Sequence, residues 1–101
     1  MPQYKEWTVQ ARKDGRMLHI GPVKARATST PMEVARAAAR RWQEQGYLAK
    51  NVGARNFTSV KSVRASDGSR MGMRGGLRGY KAGGYIFIVH PGAETNADFQ
   101  I

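Results

Sequence analysis

The sequence predicts a small α+β domain in which one helix lies across an antiparallel sheet, with elements in the order ββαββ. Three observations predict it. The first thirty residues hold two stretches in which apolar and polar side chains alternate with period two. Residues 32–45 carry alanines and arginines at helical spacing behind a capping signal. Residues 85–89 form a short, continuously apolar run closed by Pro91. A length of 101 residues favours one domain, which we expect over residues 1–91, with residues 92–101 as a loose tail.

In the first stretch Trp7, Val9 and Ala11 point one way and Thr8, Gln10 and Arg12 the other. Asp14-Gly15 follows, a pair suited to the type I′ turn of a two-residue hairpin. In the returning strand Leu18 and Ile20 alternate with Met17 and His19. Gly21-Pro22 interrupts it, and because proline has no N–H this marks a bulge or an edge position. Val23, Ala25 and Ala27 then alternate with Lys24 and Arg26. Paired in this way, the hairpin is expected to place Arg12, Lys24 and Arg26 on one exposed face.

Thr30-Pro31-Met32-Glu33 has the form of a capping box with proline in the first helical turn. Gly46 suits the left-handed residue that ends a helix. Val34, Ala35, Ala38 and Trp42 make the stripe expected to pack on the sheet, while Glu33, Arg36, Arg40 and Glu44 make the solvated face. Residues 57–64 are rich in β-branched and hydroxyl side chains and read as a strand. Val60 and Val63 differ in parity, so the alternation is imperfect. Residues 85–89 read as a central strand buried on both sides.

Residues 68–84 hold seven of the twelve glycines, with Arg70, Arg74 and Arg78 at every fourth position, then Tyr80 and Lys81. Glycine at this density predicts a long, flexible hairpin loop. Such a loop can lay guanidinium groups on phosphates and stack a ring on a base. Locally, Arg74-Gly75-Gly76 resembles the arginine–glycine–glycine boxes of RNA-binding proteins, which implies RNA contact by this triplet. The glycines also suit tight turns.

Seventeen Lys and Arg against seven Asp and Glu give a net charge of +10. Between residues 50 and 81 eight basic residues face the single acid Asp67. A surplus so placed is the electrostatic footprint expected for a nucleic acid, DNA or RNA. The residues expected to make the contact are Arg12, Lys24 and Arg26 on the sheet face, with Lys50, Arg55, Lys61, Arg64, Arg70, Arg74, Arg78, Tyr80 and Lys81.

The chain has no cysteine, which excludes a disulfide framework, thiolate metal sites and a cysteine nucleophile. Neither His19 nor His90 has a metal-ligand neighbour at suitable spacing, and we expect no cofactor. Trp7 and Trp42 fall on core stripes, whereas Tyr4, Tyr47 and Phe57 are candidate interface aromatics, and Met71 and Met73 flank the basic segment. No apolar run approaches membrane-spanning length and no signal-peptide stretch opens the sequence, so a cytoplasmic setting is expected. No P-loop or dinucleotide fingerprint is present.

A non-enzymatic nucleic-acid-binding module is therefore the leading expectation. The first alternative is an adaptor or inhibitor of the kind carried by phages and mobile elements, docking on a larger protein or nucleoprotein complex. The second is a metal-free ribonuclease using Tyr80, Arg78, Lys81 and His90. Monomer and dimer both remain compatible with the sequence.

Overall fold

The computed structural model describes residues 3–92. Strands β1 (Tyr4–Lys13) and β2 (Arg16–Arg26) form a long hairpin, followed by helix α1 (Pro31–Glu44) and a single 3-10 turn (Val52–Ala54). Five strands follow: β3 (Thr58–Val60), β4 (Ser62–Arg64), β5 (Arg70–Gly72), β6 (Arg78–Ala82) and β7 (Tyr85–Pro91). The main sheet has the order β2-β1-β7-β6-β3, and β4 pairs with β5 as a separate hairpin. All pairings are antiparallel.

The α+β class holds, but the order is ββα followed by five strands. Residues 68–84 are not one long loop. They contain β5, β6 and two tight turns, because the glycines serve turn geometry instead of mobility. Gly83-Gly84 turns β6 into β7 with φ of 55° and 86°, the two positive values a type I′ turn requires. Arg74-Gly75-Gly76 is the turn between β5 and β6, closed by the Leu77 N–H donating to the Arg74 carbonyl at 3.0 Å. Gly92, expected as the first residue of a loose tail over 92–101, is tied to β1: its N–H donates to the Glu6 carbonyl at 2.7 Å and its carbonyl accepts from the Thr8 hydroxyl at 2.8 Å. Residues 93–101 lie outside the described residues.

Local signals set the hairpin and the helix. Asp14 and Gly15 turn the chain at φ 54° and 77°. The Thr30 hydroxyl accepts from the Glu33 N–H at 3.2 Å, and the Glu33 carboxylate accepts from the Thr30 N–H at 2.8 Å, completing the capping box. At the other end the Tyr47 N–H donates to the Trp42 carbonyl and the Gly46 N–H to the Gln43 carbonyl, which is a Schellman motif. The bulge lies at Leu18, where Ala11 pairs with His19 and Arg12 with Met17. Pro22 stays in register with Thr8 on β2, an edge strand.

The sheet is covered on both faces. Under α1, Val34, Ala35, Ala38, Ala39 and Trp42 pack against Trp7, Val9, Val23, Tyr80, Tyr85, Phe87 and Val89. On the opposite face the β4–β5 hairpin builds a second, smaller core from Val63, Leu77 and Ile88, with Ile20, Val60, Met71, Met73 and Ile86 around it. β7 is the middle strand of five and serves both cores, which explains its unbroken apolar run. The parity change between Val60 and Val63 is also explained. The chain leaves the main sheet at Lys61 and enters the hairpin layer, so both valines reach the second core.

This second layer corrects one expectation. Thr8, Gln10 and Arg12 do alternate with the core residues, but all three are buried. The Thr8 hydroxyl and both terminal nitrogens of Arg12 find acceptors within the protein, although Arg12 Nε has none, so an alternating pattern here does not mean exposure to water.

Candidate nucleic-acid interface

The β4–β5 hairpin, the β1–β2 turn and the β6–β7 turn meet at one end of the sheet and enclose a groove of about 480 Å³. Lys61, Arg64, Arg70 and Lys81 line it, with Asp14 as the one acid. Ser62 adds a hydroxyl, and Val60, Val63 and Ile86 add apolar surface. Each cation arrives by a separate local cause. Lys61 marks the crossover between layers, Arg64 and Arg70 are opposed across the hairpin, and Lys81 pairs with Thr58 and Ile86 on β6.

Arg64 and Arg70 are direct Cα partners in the β4–β5 ladder. Side chains so placed have Cβ atoms about 5 Å apart, and two like charges there destabilise the pair. The Arg64 stem is held over the β1–β2 turn, since a Cβ built on Gly15 would lie 3.5 Å from its Cδ. A second hollow, also about 480 Å³, lies beside the first and is lined by Arg70, Arg74, Met71, Gly72, Ser69, Asp67 and Ala65. Arg70 belongs to both.

Arg12 does not present its charge on the sheet face as expected. It is 2% exposed. Its Nη1 donates to Gln10 Oε1 at 2.8 Å, and its Nη2 donates to the Gly15 carbonyl at 2.9 Å, the Ser66 hydroxyl at 3.3 Å and the Arg64 carbonyl at 3.4 Å. None of these acceptors is a carboxylate. Burial draws the guanidinium below its ordinary pKa range. Arg12 therefore ties the β1–β2 turn to the far hairpin and fixes two walls of the groove. A charged residue in an alternating strand gave no sign of this role.

Tyr80 is also corrected. Its ring belongs to the core under α1 and is 7% exposed, so it offers no face for a base to stack on. Burial raises its hydroxyl pKa, with the positive charge of Arg78 opposing. The sheet separates Tyr80 from His90. Tyr80 is opposite Phe87 on the helix side, and His90 is opposite Thr8 on the other.

The remaining expected residues divide. Lys24 and Arg26 are exposed on β2, but Lys24 pairs with Glu6, and both stand away from the groove. Lys50 is exposed beyond the C-terminus of α1. Arg55 lies against Gly83, next to the groove-lining Gly84. Arg74 is exposed in the second hollow. Arg78 turns its Nη1 onto the Gly75 and Leu77 carbonyls at 3.1 and 2.8 Å, which commits part of its donor capacity to the turn. Sequence reasoning missed Ser62, which no motif marks.

Of the candidate aromatics, Phe57 is buried in the main core and Arg36 lies over its ring at 5.1 Å, so Arg36 is not simply a solvated residue. Tyr4 and Tyr47 are exposed, and Tyr47 stacks on His19 at 4.1 Å. Among the described residues no helix is long and apolar enough to cross a membrane. No family model matches the chain, and neither a curated protein nor a solved structure matches it.

Proposed function

We propose that this protein is a small, non-enzymatic nucleic-acid-binding module that grips phosphates in the groove between the β4–β5 hairpin and the main sheet. The observation that carries this reading is the convergence of Lys61, Arg64, Arg70 and Lys81 on one concave surface with a single acid. Two of these cations stand directly opposite each other. An anion seated between them turns an unfavourable pair into a favourable site, and arginine's planar fork suits phosphate oxygens. Neither hollow is lined by an aromatic ring, so the contact is to the backbone and carries little base information.

The test is binding of fluorescent oligonucleotides, followed by anisotropy at low salt. The triple variant Lys61→Gln, Arg64→Gln, Arg70→Gln is expected to bind all sequences more weakly. Arg40→Gln with Arg41→Gln, exposed on α1, is expected to change affinity little. Equal binding by the triple variant, or loss with the helix pair, overturns the assignment.

A second reading, an adaptor that docks on a larger protein, is favoured by the β2 edge strand. It exposes Met17 and Leu18, while Tyr4 at the start of β1 and Tyr47 just after α1 are also exposed. Retention of a defined protein from host extract after nuclease treatment would support it.

A further inference from the structure

We infer that the ligand of this site is a single-stranded nucleic acid, laid across both hollows with Arg70 between consecutive phosphates; this rests on the nucleic-acid reading above. The two hollows are concave, of equal size and share Arg70. β4 residues line one, Met71 and Gly72 of β5 line the other, and Arg70 of β5 lines both, so the two hollows adjoin along the hairpin. A strand that fills both must follow the hairpin from one hollow into the next. A single strand bends freely at this scale, whereas a duplex is stiff over about 150 base pairs and presents its phosphates on a convex surface. Duplexes are usually read by a protruding helix or ribbon that enters a groove of the nucleic acid. Here the cations lie inside a groove of the protein, the arrangement that tracks one backbone. The floor supports the same ligand. Val60 and Ile86 in one hollow and Met71 in the other, all partly exposed, give apolar contact for sugars, beside cations for phosphates.

The arrangement also sets the order of importance among the arginines. Arg70 serves both hollows, Arg64 only the first and Arg74 only the second. The even spacing of Arg70, Arg74 and Arg78 in sequence therefore does not correspond to three equal contacts, since Arg78 lines neither hollow.

The test compares a labelled 12-nucleotide single strand with the duplex of the same sequence, at equal phosphate concentration and about 50 mM salt. The single strand is expected to bind at least about tenfold more tightly. Arg70→Gln should weaken the single strand more than Arg74→Gln does. Circular dichroism confirms that each variant is folded. Duplex binding equal to or tighter than single-strand binding overturns this inference while leaving the proposed function standing. Binding of neither ligand overturns both.

Discussion

Arg64 and Arg70 face each other across the β4–β5 hairpin as direct ladder partners. The hairpin has only three residues in each strand, so one like-charged pair is a sizeable fraction of its cross-strand interactions. Arg70→Gln should therefore raise stability by about 0.2–1 kcal/mol at low ionic strength while it weakens nucleic-acid binding. Urea unfolding at low and high salt checks this, because screening should abolish the gain. A loss of stability at both salt concentrations would show that Arg70 makes a stabilising contact in the free protein.

Arg12→Met tests the clamp. The substitution keeps an apolar stem but removes the guanidinium that donates to Gln10 Oε1, the Ser66 hydroxyl and the Gly15 and Arg64 carbonyls. A cost of about 3 kcal/mol is expected. Arg12→Lys should recover little of it, since one ammonium cannot span acceptors on three segments. Hydrogen exchange should rise first in residues 62–72, which the clamp holds, before it rises in α1. Uniform loss of protection would mean that Arg12 supports the whole core and not the hairpin.

Acid should loosen two local structures. The Asp67 carboxylate accepts from the Ser69 hydroxyl at 2.6 Å and the Ser69 N–H at 2.9 Å, and these bonds hold its pKa below the ordinary 3.8. The Thr30 N–H, then the Thr30 hydroxyl, hold Glu33 below the ordinary 4.5. Both folded values are depressed. Their contribution is therefore present above the unfolded values and is lost as pH falls through the folded ones. The amides of Ser69 and Thr30 should titrate with midpoints below 3.8 and 4.5 in an NMR series. Midpoints at or above those values would mean that the two carboxylates are not held by these bonds.

The elements with strong local signals were legible in the sequence. Asp14-Gly15, the Thr30–Glu33 box, Gly46 and the apolar β7 each have a short-range physical cause, and each stands where that cause puts it. Residues 68–84 were not legible as strands. β5 and β6 are short, and Gly72 and Gly79 interrupt the alternation that would reveal them. Gly79 is present for closeness, since a Cβ there would come within 2.8 Å of the Val60 side chain. The basic segment was legible as charge. Its division into groove and bystander residues was not, because Lys61, Arg64, Arg70 and Lys81 converge only when the hairpin folds back over the sheet. Arg12 and Tyr80 were misplaced for one reason. Burial of a polar side chain depends on a layer that the local pattern does not encode.

The salt dependence of binding tests the central claim most directly. Four phosphate contacts to a single strand predict that log K falls with log salt at a slope of about −2.8 from the groove alone. The variant carrying Lys61→Gln, Arg64→Gln, Arg70→Gln and Lys81→Gln should lose about that much slope, together with most of its affinity. Arg40→Gln with Arg41→Gln should leave the slope intact. A quadruple variant that folds and keeps both the wild-type slope and the wild-type affinity would contradict the assignment of phosphate binding to this groove.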